Sequence, residues 1–189
     1  SRSIPLWRSD AQCPGDTPPE TAQCHTTGIA RWIPYSGTGI GILTGDWYRC
    51  RSSYGPAMTT EAWMYADQEI DAVSTQAMRP IFAEYLRVRP YLTADFYSIA
   101  SDATGDDVWC CHQYNRPEDG DGILLCFRRP KSVNDRAVLR LRGLEPMATY
   151  TFTDADSGET VCMTGEEASR FSMEIHEPRS SRLLFYHRT

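Results

Sequence analysis

The sequence predicts an α/β unit followed by an all-β unit, on three observations. Residues 1–92 alternate short apolar runs with helix-patterned stretches. From about Thr93 the apolar period switches to two. Turn signals then separate a series of short strands with no helix between them, the pattern of an antiparallel β-sandwich. A chain of 189 residues has room for two such small domains, 1–92 and 93–189.

In the first half, Leu6 and Trp7 lie in a short apolar run ending near Asp10. Thr17 before Pro18 reads as an N-cap with proline at the first helical position, opening a helix toward Thr27. Ile29–Ile33 reads as a second strand stopped by Pro34. The glycine-rich Gly37-Thr38-Gly39-Ile40-Gly41 reads as a turn, since it lacks the spacing and lysine of a phosphate loop. A helix over 46–53 and a strand over 57–63 follow. The helix predicted over 74–88 has Met78, Ile81, Phe82, Tyr85 and Leu86 at i, i+3, i+4, i+7 and i+8, with Pro80 kinking it or in its first turn.

In the second half, strands are predicted over 108–114, 122–128, 137–141, 149–153, 160–163, 171–176 and 182–187. The turns between them carry Gly120, Gly143-Leu144-Glu145-Pro146, and Asp154-Ala155-Asp156-Ser157-Gly158.

Composition removes several classes of function. With 19 basic and 25 acidic residues the net charge is −6, so no nucleic-acid partner is expected. No apolar run approaches the ~18 residues of a membrane span, and the segment Ser1–Trp7 has no signal-peptide core. The seven cysteines are odd in number and form no CxxC pair, and Cys126 sits in an apolar run as a small hydrophobe. A reducing, cytoplasmic setting is the expectation. His25, His112, His176 and His187 have no metal-ligand spacing, and no GxSxG elbow is present.

Read from spacing alone, Asp10 at the end of a strand reads as a turn or capping residue before it reads as a catalytic group, and Arg8 equally as a surface cation. The aromatic residues Trp32, Tyr35, Trp47 and Tyr48, near the predicted strand ends, are candidate stacking platforms, or core.

The motifs Pro5-Leu6-Trp7-Arg8-Ser9-Asp10, Gln23-Cys24-His25-Thr26-Thr27-Gly28 and Trp32-Ile33-Pro34-Tyr35-Ser36-Gly37 occur in that order. Behind them come Arg51-Ser52, Gly55-Pro56, Glu84-Tyr85-Leu86-Arg87-Val88-Arg89-Pro90-Tyr91 and Asp95-Phe96-Tyr97. The series ends with Arg140-Leu141-Arg142-Gly143-Leu144-Glu145-Pro146 and Pro178-Arg179-Ser180-Ser181. Together they resemble the later part of family 36 glycoside hydrolases, the α-galactosidases and their relatives.

The resemblance implies the C-terminal strands and helices of a (β/α)8 catalytic barrel, then an antiparallel β-sandwich. Trp7, Pro34 and Trp63 would mark strands six to eight, and Met78, Phe82 and Leu86 would lie under the sandwich. Asp10 matches the general acid/base of a retaining, two-carboxylate hydrolysis of terminal α-galactosides or related α-glycosides. Arg8, Trp32 and Tyr35 are the expected substrate contacts, with an oligosaccharide or glycoside as partner, no cofactor, and room for a homo-oligomer of the whole protein. The nucleophile belongs to an earlier barrel strand, so the chain reads as the last part of an enzyme, inactive by itself. The competing reading is a non-catalytic carbohydrate-binding or assembly module built on the β-rich half.

Overall fold

Three parallel strands with three helices form one unit, Ser1–Thr93, and antiparallel strands form a second, Ala94–Thr189. A computed structural model describes residues 6–9, 17–40, 45–60, 72–102 and 104–189.

The first unit runs β1 (Leu6–Ser9), α1 (Pro19–Ile29), β2 (Ser36–Ile40), α2 (Trp47–Ser52), β3 (Ala57–Thr60) and α3 (Ala72–Val88), closed by a 3-10 turn over Arg89–Tyr91. The sheet order is β1-β2-β3, with both pairings parallel.

Two expectations fail here for one local reason. The apolar stretch 29–33 is no strand: Ile29 ends α1, and the Trp32 and Ile33 amides both donate to its carbonyl at 2.9 and 2.8 Å. Thr26 and Thr27, poor helix formers, satisfy their hydroxyls within α1 by donating to the Ala22 and Gln23 carbonyls, each 3.0 Å. The strand is instead the glycine-rich segment expected to turn. A Cβ built on Gly37 would lie 2.8 Å from the Ala57 carbonyl oxygen and 3.0 Å from its Cβ, so β2 approaches β3 closely because it lacks a side chain there. Pro34 therefore marks no strand, and Trp63 lies outside the described residues.

Pro18 holds the N-cap position of α1 with Pro19 at N1, one residue later than expected, and no side chain caps the helix. Asp46 does cap α2, accepting from the Arg49 amide at 3.1 Å. In α3, Met78, Ile81, Tyr85 and Val88 are buried as the period requires, and Met78 and Phe82 pack on Cys50 and Ile81. Leu86 is 64% exposed. Pro80 lies inside the helix, and both it and Gln76, whose carbonyl it leaves without a helical donor, are exposed.

The second unit comprises β4 (Asp95–Ser98), β5 (Trp109–Arg116), β6 (Asp121–Arg128), β7 (Arg136–Leu139), β8 (Thr149–Asp154), β9 (Thr160–Thr164), a short α4 (Gly165–Ala168), β10 (Phe171–Glu174) and β11 (Ser180–Arg188). Six strands pair antiparallel in the order β4-β5-β6-β11-β8-β9, and β10 pairs with β7 in a second sheet. Tyr150 and Phe152 alternate inward along β8 and meet Phe171 and Met173 of β10; Phe152 lies 5.0 Å from the Phe171 ring. β5 and β6 are buried on both faces; in β6 this shows as the continuous apolar run Ile123–Phe127, whereas β5 buries the polar His112, Gln113 and Asn115 as well.

Candidate active site

In parallel strands joined by helices, the strand C-terminal ends share one edge, and catalytic groups of such folds gather there. The described strands end on that edge at Ser9, Ile40 and Thr60, and the first turns of α1 and α2 begin there too.

Asp10, the residue after Ser9, lies outside the described residues. Arg8 is within β1. Trp7 pairs with Gly37 and Ser9 with Thr38, so the register shifts by one residue at Arg8, a β-bulge or similar irregularity, and such a shift re-aims the residues that follow.

Trp32 and Tyr35 lie elsewhere. They belong to the connection from α1 into β2, and β2 begins at Ser36, opposite Leu6 at the start of described β1. Both are therefore at the N-terminal edge, away from the strand ends, with Trp32 81% and Tyr35 44% exposed. Tyr35 instead borders an open groove with Pro56, Leu86, Arg89 and Pro90.

Two other aromatics stand at the strand-end edge. Tyr48 is buried, and its hydroxyl donates to Glu20 Oε1 at 2.7 Å, tying the first turns of α1 and α2 together. Trp47, the first residue of α2, is half-buried under the Arg51 guanidinium, which lies 5.2 Å from its ring centroid. Arg51 is in turn fixed by Glu84 of α3: Nε donates to Oε1 at 2.8 Å and Nη2 to Oε2 at 2.6 Å. Tyr54 adds a hydroxyl bond to Oε1 at 2.9 Å, and Gln23 Nε2 donates to Ser52 Oγ at 2.9 Å. Burial, then the Glu84 charge and hydrogen bond, pushes the Tyr54 hydroxyl well above the usual phenol range. Burial and, after it, the Asp46 charge push the Cys50 thiol up to about 12.

This wall braces the edge. Glu84 has both oxygens on Arg51 and is committed to that pair, while Glu20 holds the Tyr48 hydroxyl with one oxygen. The Trp47–Arg51 pairing was open to sequence reading, since residues four apart on a helix are neighbours. The Arg51–Glu84 pairing, 33 residues apart, carries no such signal. Among the described residues, no three His, Cys, Asp or Glu side chains are arranged to hold a metal ion, and no helix is long and apolar enough to cross a membrane.

A parallel α/β unit followed by antiparallel sheets is the class of fold observed, and solved glycoside hydrolases share it over nearly the whole chain. Family 36 α-galactosidase AgaB from Geobacillus stearothermophilus superposes with a TM-score of 0.70 at 14% identity over 98% of this chain. The α-galactosidase from Lactobacillus brevis gives 0.64 at 16% identity over 92%, and the galactosidase domain of the α-galactosidase-sucrose kinase AgaSK gives 0.64 at 13% over 95%. At these identities the likeness is one of fold. The chain spans about a quarter of each of those proteins: 26%, 25% and 26% respectively. No protein-family model matches the sequence, and no curated protein matches it.

Proposed function

We propose that the chain is part of a retaining glycoside hydrolase that removes terminal α-galactosyl or related α-glycosyl groups. In this reading residues 1–92 are the C-terminal portion of a (β/α)8 barrel, and residues 93–189 are its antiparallel β-sandwich. The observation that carries the proposal is the superposition of 98% of the chain on a family 36 α-galactosidase, with Asp10 directly following the end of a parallel strand.

Asp10 is the proposed general acid/base: it protonates the departing glycosidic oxygen, then deprotonates the attacking water. Arg8, at the register shift in the strand before it, is the proposed contact to substrate hydroxyls. Trp47 replaces Trp32 and Tyr35 as the proposed sugar platform, because it begins a helix at the strand-end edge and its ring is held by Arg51. The second carboxylate, the nucleophile, is proposed to come from elsewhere in the whole enzyme, so the 189-residue chain alone should not turn over glycosides.

The test is Asp10→Asn in the whole enzyme. It should lower kcat/KM, which reports the glycosylation step, at least ~100-fold on an alkyl galactoside and much less on a nitrophenyl galactoside, whose leaving group needs no proton. The kcat should fall on both, because the attacking water loses its base. Equal rates for wild type and variant on the alkyl substrate would rule out the assignment.

A further inference from the structure

Cys111 of β5 and Cys126 of β6 stand directly opposite one another in the antiparallel ladder. The Ile99 amide donates to the Cys111 carbonyl at 3.0 Å, so the backbone groups of Cys111 point away from β6 and toward the β4 side. The Cys111–Cys126 pair is therefore a non-hydrogen-bonded one. In such pairs the Cα atoms are about 4.5 Å apart and the side chains leave the same face. That separation falls within the span a disulfide bridges. Neighbouring Cys110 faces the other side of the sheet, its Sγ 3.4 Å from His112 Nε2, and cannot reach Cys126 without breaking the register.

Both thiols are free and 0% exposed, in the same core cluster. Burial, reinforced by hydrogen bonding to Cys126, pushes the Cys111 thiol far above its ordinary range. In the closed sheet, then, neither an oxidant nor a thiolate is at hand. In a chain that is still folding, both are.

We propose that Cys111 and Cys126 are a latent cross-strand disulfide, formed when β5 and β6 pair in the presence of a small-molecule disulfide. One cysteine thiolate attacks that disulfide, forming a mixed disulfide and releasing one small thiol. The second cysteine thiolate attacks the protein sulfur of the mixed disulfide and releases the other. The two electrons lost by the protein thiols pass to the reagent, and the two protons end on the released thiols. Closing the 111–126 loop should raise the folding equilibrium constant on the order of 100-fold.

The experiment refolds the denatured, reduced whole chain in a mixture of oxidised and reduced glutathione, beside the already folded chain in the same buffer. Peptide mapping of the refolded chain should join the peptide of residues 110–111 to that of Cys126, the pair about 2 Da lighter than the two reduced peptides together. In the folded chain Cys111 and Cys126 should stay reduced until urea opens it, whatever exposed Cys162 takes up. Cys110→Ser should keep the crosslink, and Cys111→Ser and Cys126→Ser should abolish it. A crosslink lost in Cys110→Ser, or a native-like oxidised chain with Cys126 still alkylatable, overturns the proposal.

Discussion

Arg51 and Glu84, 33 residues apart, form a two-point ion pair with side chains 2% and 9% exposed. The pair joins two of the motifs through which the sequence resembles glycosidases. A third motif is tied to it: the Tyr85 hydroxyl donates to the carbonyls of Gly55 at 2.8 Å and Pro56 at 3.2 Å. Breaking a buried pair leaves a charge without its partner, which costs about 3–5 kcal/mol. Glu84→Gln should lower the opening free energy of α2 by about that much, read by hydrogen exchange of its amides. Replacing both residues, as Arg51→Met with Glu84→Leu, should cost less than either single change. An α2 protected as well in Glu84→Gln as in wild type would show that the pair braces nothing.

Gly37 and Gly28 should respond to alanine with opposite signs. Alanine at Gly37 presses its Cβ to within 3 Å of the Ala57 backbone, so β2 and β3 must separate, at a cost of about 1–3 kcal/mol. At Gly28, inside α1, nothing lies within 4 Å of the added Cβ, and the substitution should stabilise by up to about 1 kcal/mol. Chemical denaturation of the two variants checks both signs.

These two glycines also show where sequence reading held and where it slipped. Periodicity was sufficient for α3 and β8, because Met78 and Ile81, or Tyr150 and Phe152, each point to one core, and Tyr85 is buried on the same helix. It failed at Ile29–Ile33, an apolar run too short to tell a helix end from a strand, and at Gly37–Gly39, where close strand packing mimics a turn. Placing the second strand seven residues early had a functional consequence. It set Tyr35 after a strand when it comes before one, and so moved Trp32 and Tyr35 to the wrong edge of the sheet. β4 was missed because Asp95 and Ser98 break its apolar alternation. The bracing of Trp47 through Arg51 to Glu84 depends on a tertiary contact that no local pattern encodes.

In the second unit, Gln113 brackets one further motif: its Nε2 donates to the Arg142 carbonyl at 2.8 Å, and its Oε1 accepts from the Arg142 amide at 2.9 Å. Gly143, next in sequence, has φ of +71°, and a Cβ there would meet Asn115 Nδ2 at 2.7 Å. Gly143→Ala should therefore destabilise by about 1–2 kcal/mol, through the left-handed backbone and the displaced Asn115 together. A thermal midpoint equal to wild type would contradict this.

Asp154 gives the second unit a defined acid sensitivity. Burial alone would push its carboxyl up. The Ser157 amide, the Arg182 guanidinium at 2.6 Å and the Asp156 amide outweigh that, and hold it below its ordinary 3.8. A depressed folded value means that the stabilisation is complete above the unfolded carboxylate range. It is lost as pH falls from about 3.8 through the lower folded value. Stability measured between pH 6 and 2 should fall at the acid end in wild type, and less steeply in Asp154→Asn. The same variant should cost about 1.5–3 kcal/mol at pH 7, where the charged hydrogen bonds are intact in wild type. Parallel pH profiles for the two proteins would assign the acid sensitivity to other carboxylates.

The cysteines should separate by reactivity in a manner set by burial. Cys162 is exposed on β9, beside the Thr151 hydroxyl at 3.2 Å, and should be alkylated within minutes by iodoacetamide at pH 8. Cys50, with its thiol pushed up to about 12, holds roughly one part in ten thousand as thiolate at that pH. It is 1% exposed as well, so it should resist the reagent until the first unit opens. Mass spectrometry of labelled peptides against time, with and without urea, reads each site. Urea that releases Cys50 before Cys126 would show the first unit opening ahead of the second. Labelling of Cys50 as fast as Cys162 in native buffer would mean that the α2–α3 contact over Cys50 opens freely, and that the Arg51–Glu84 pair beside it does not hold the helices together.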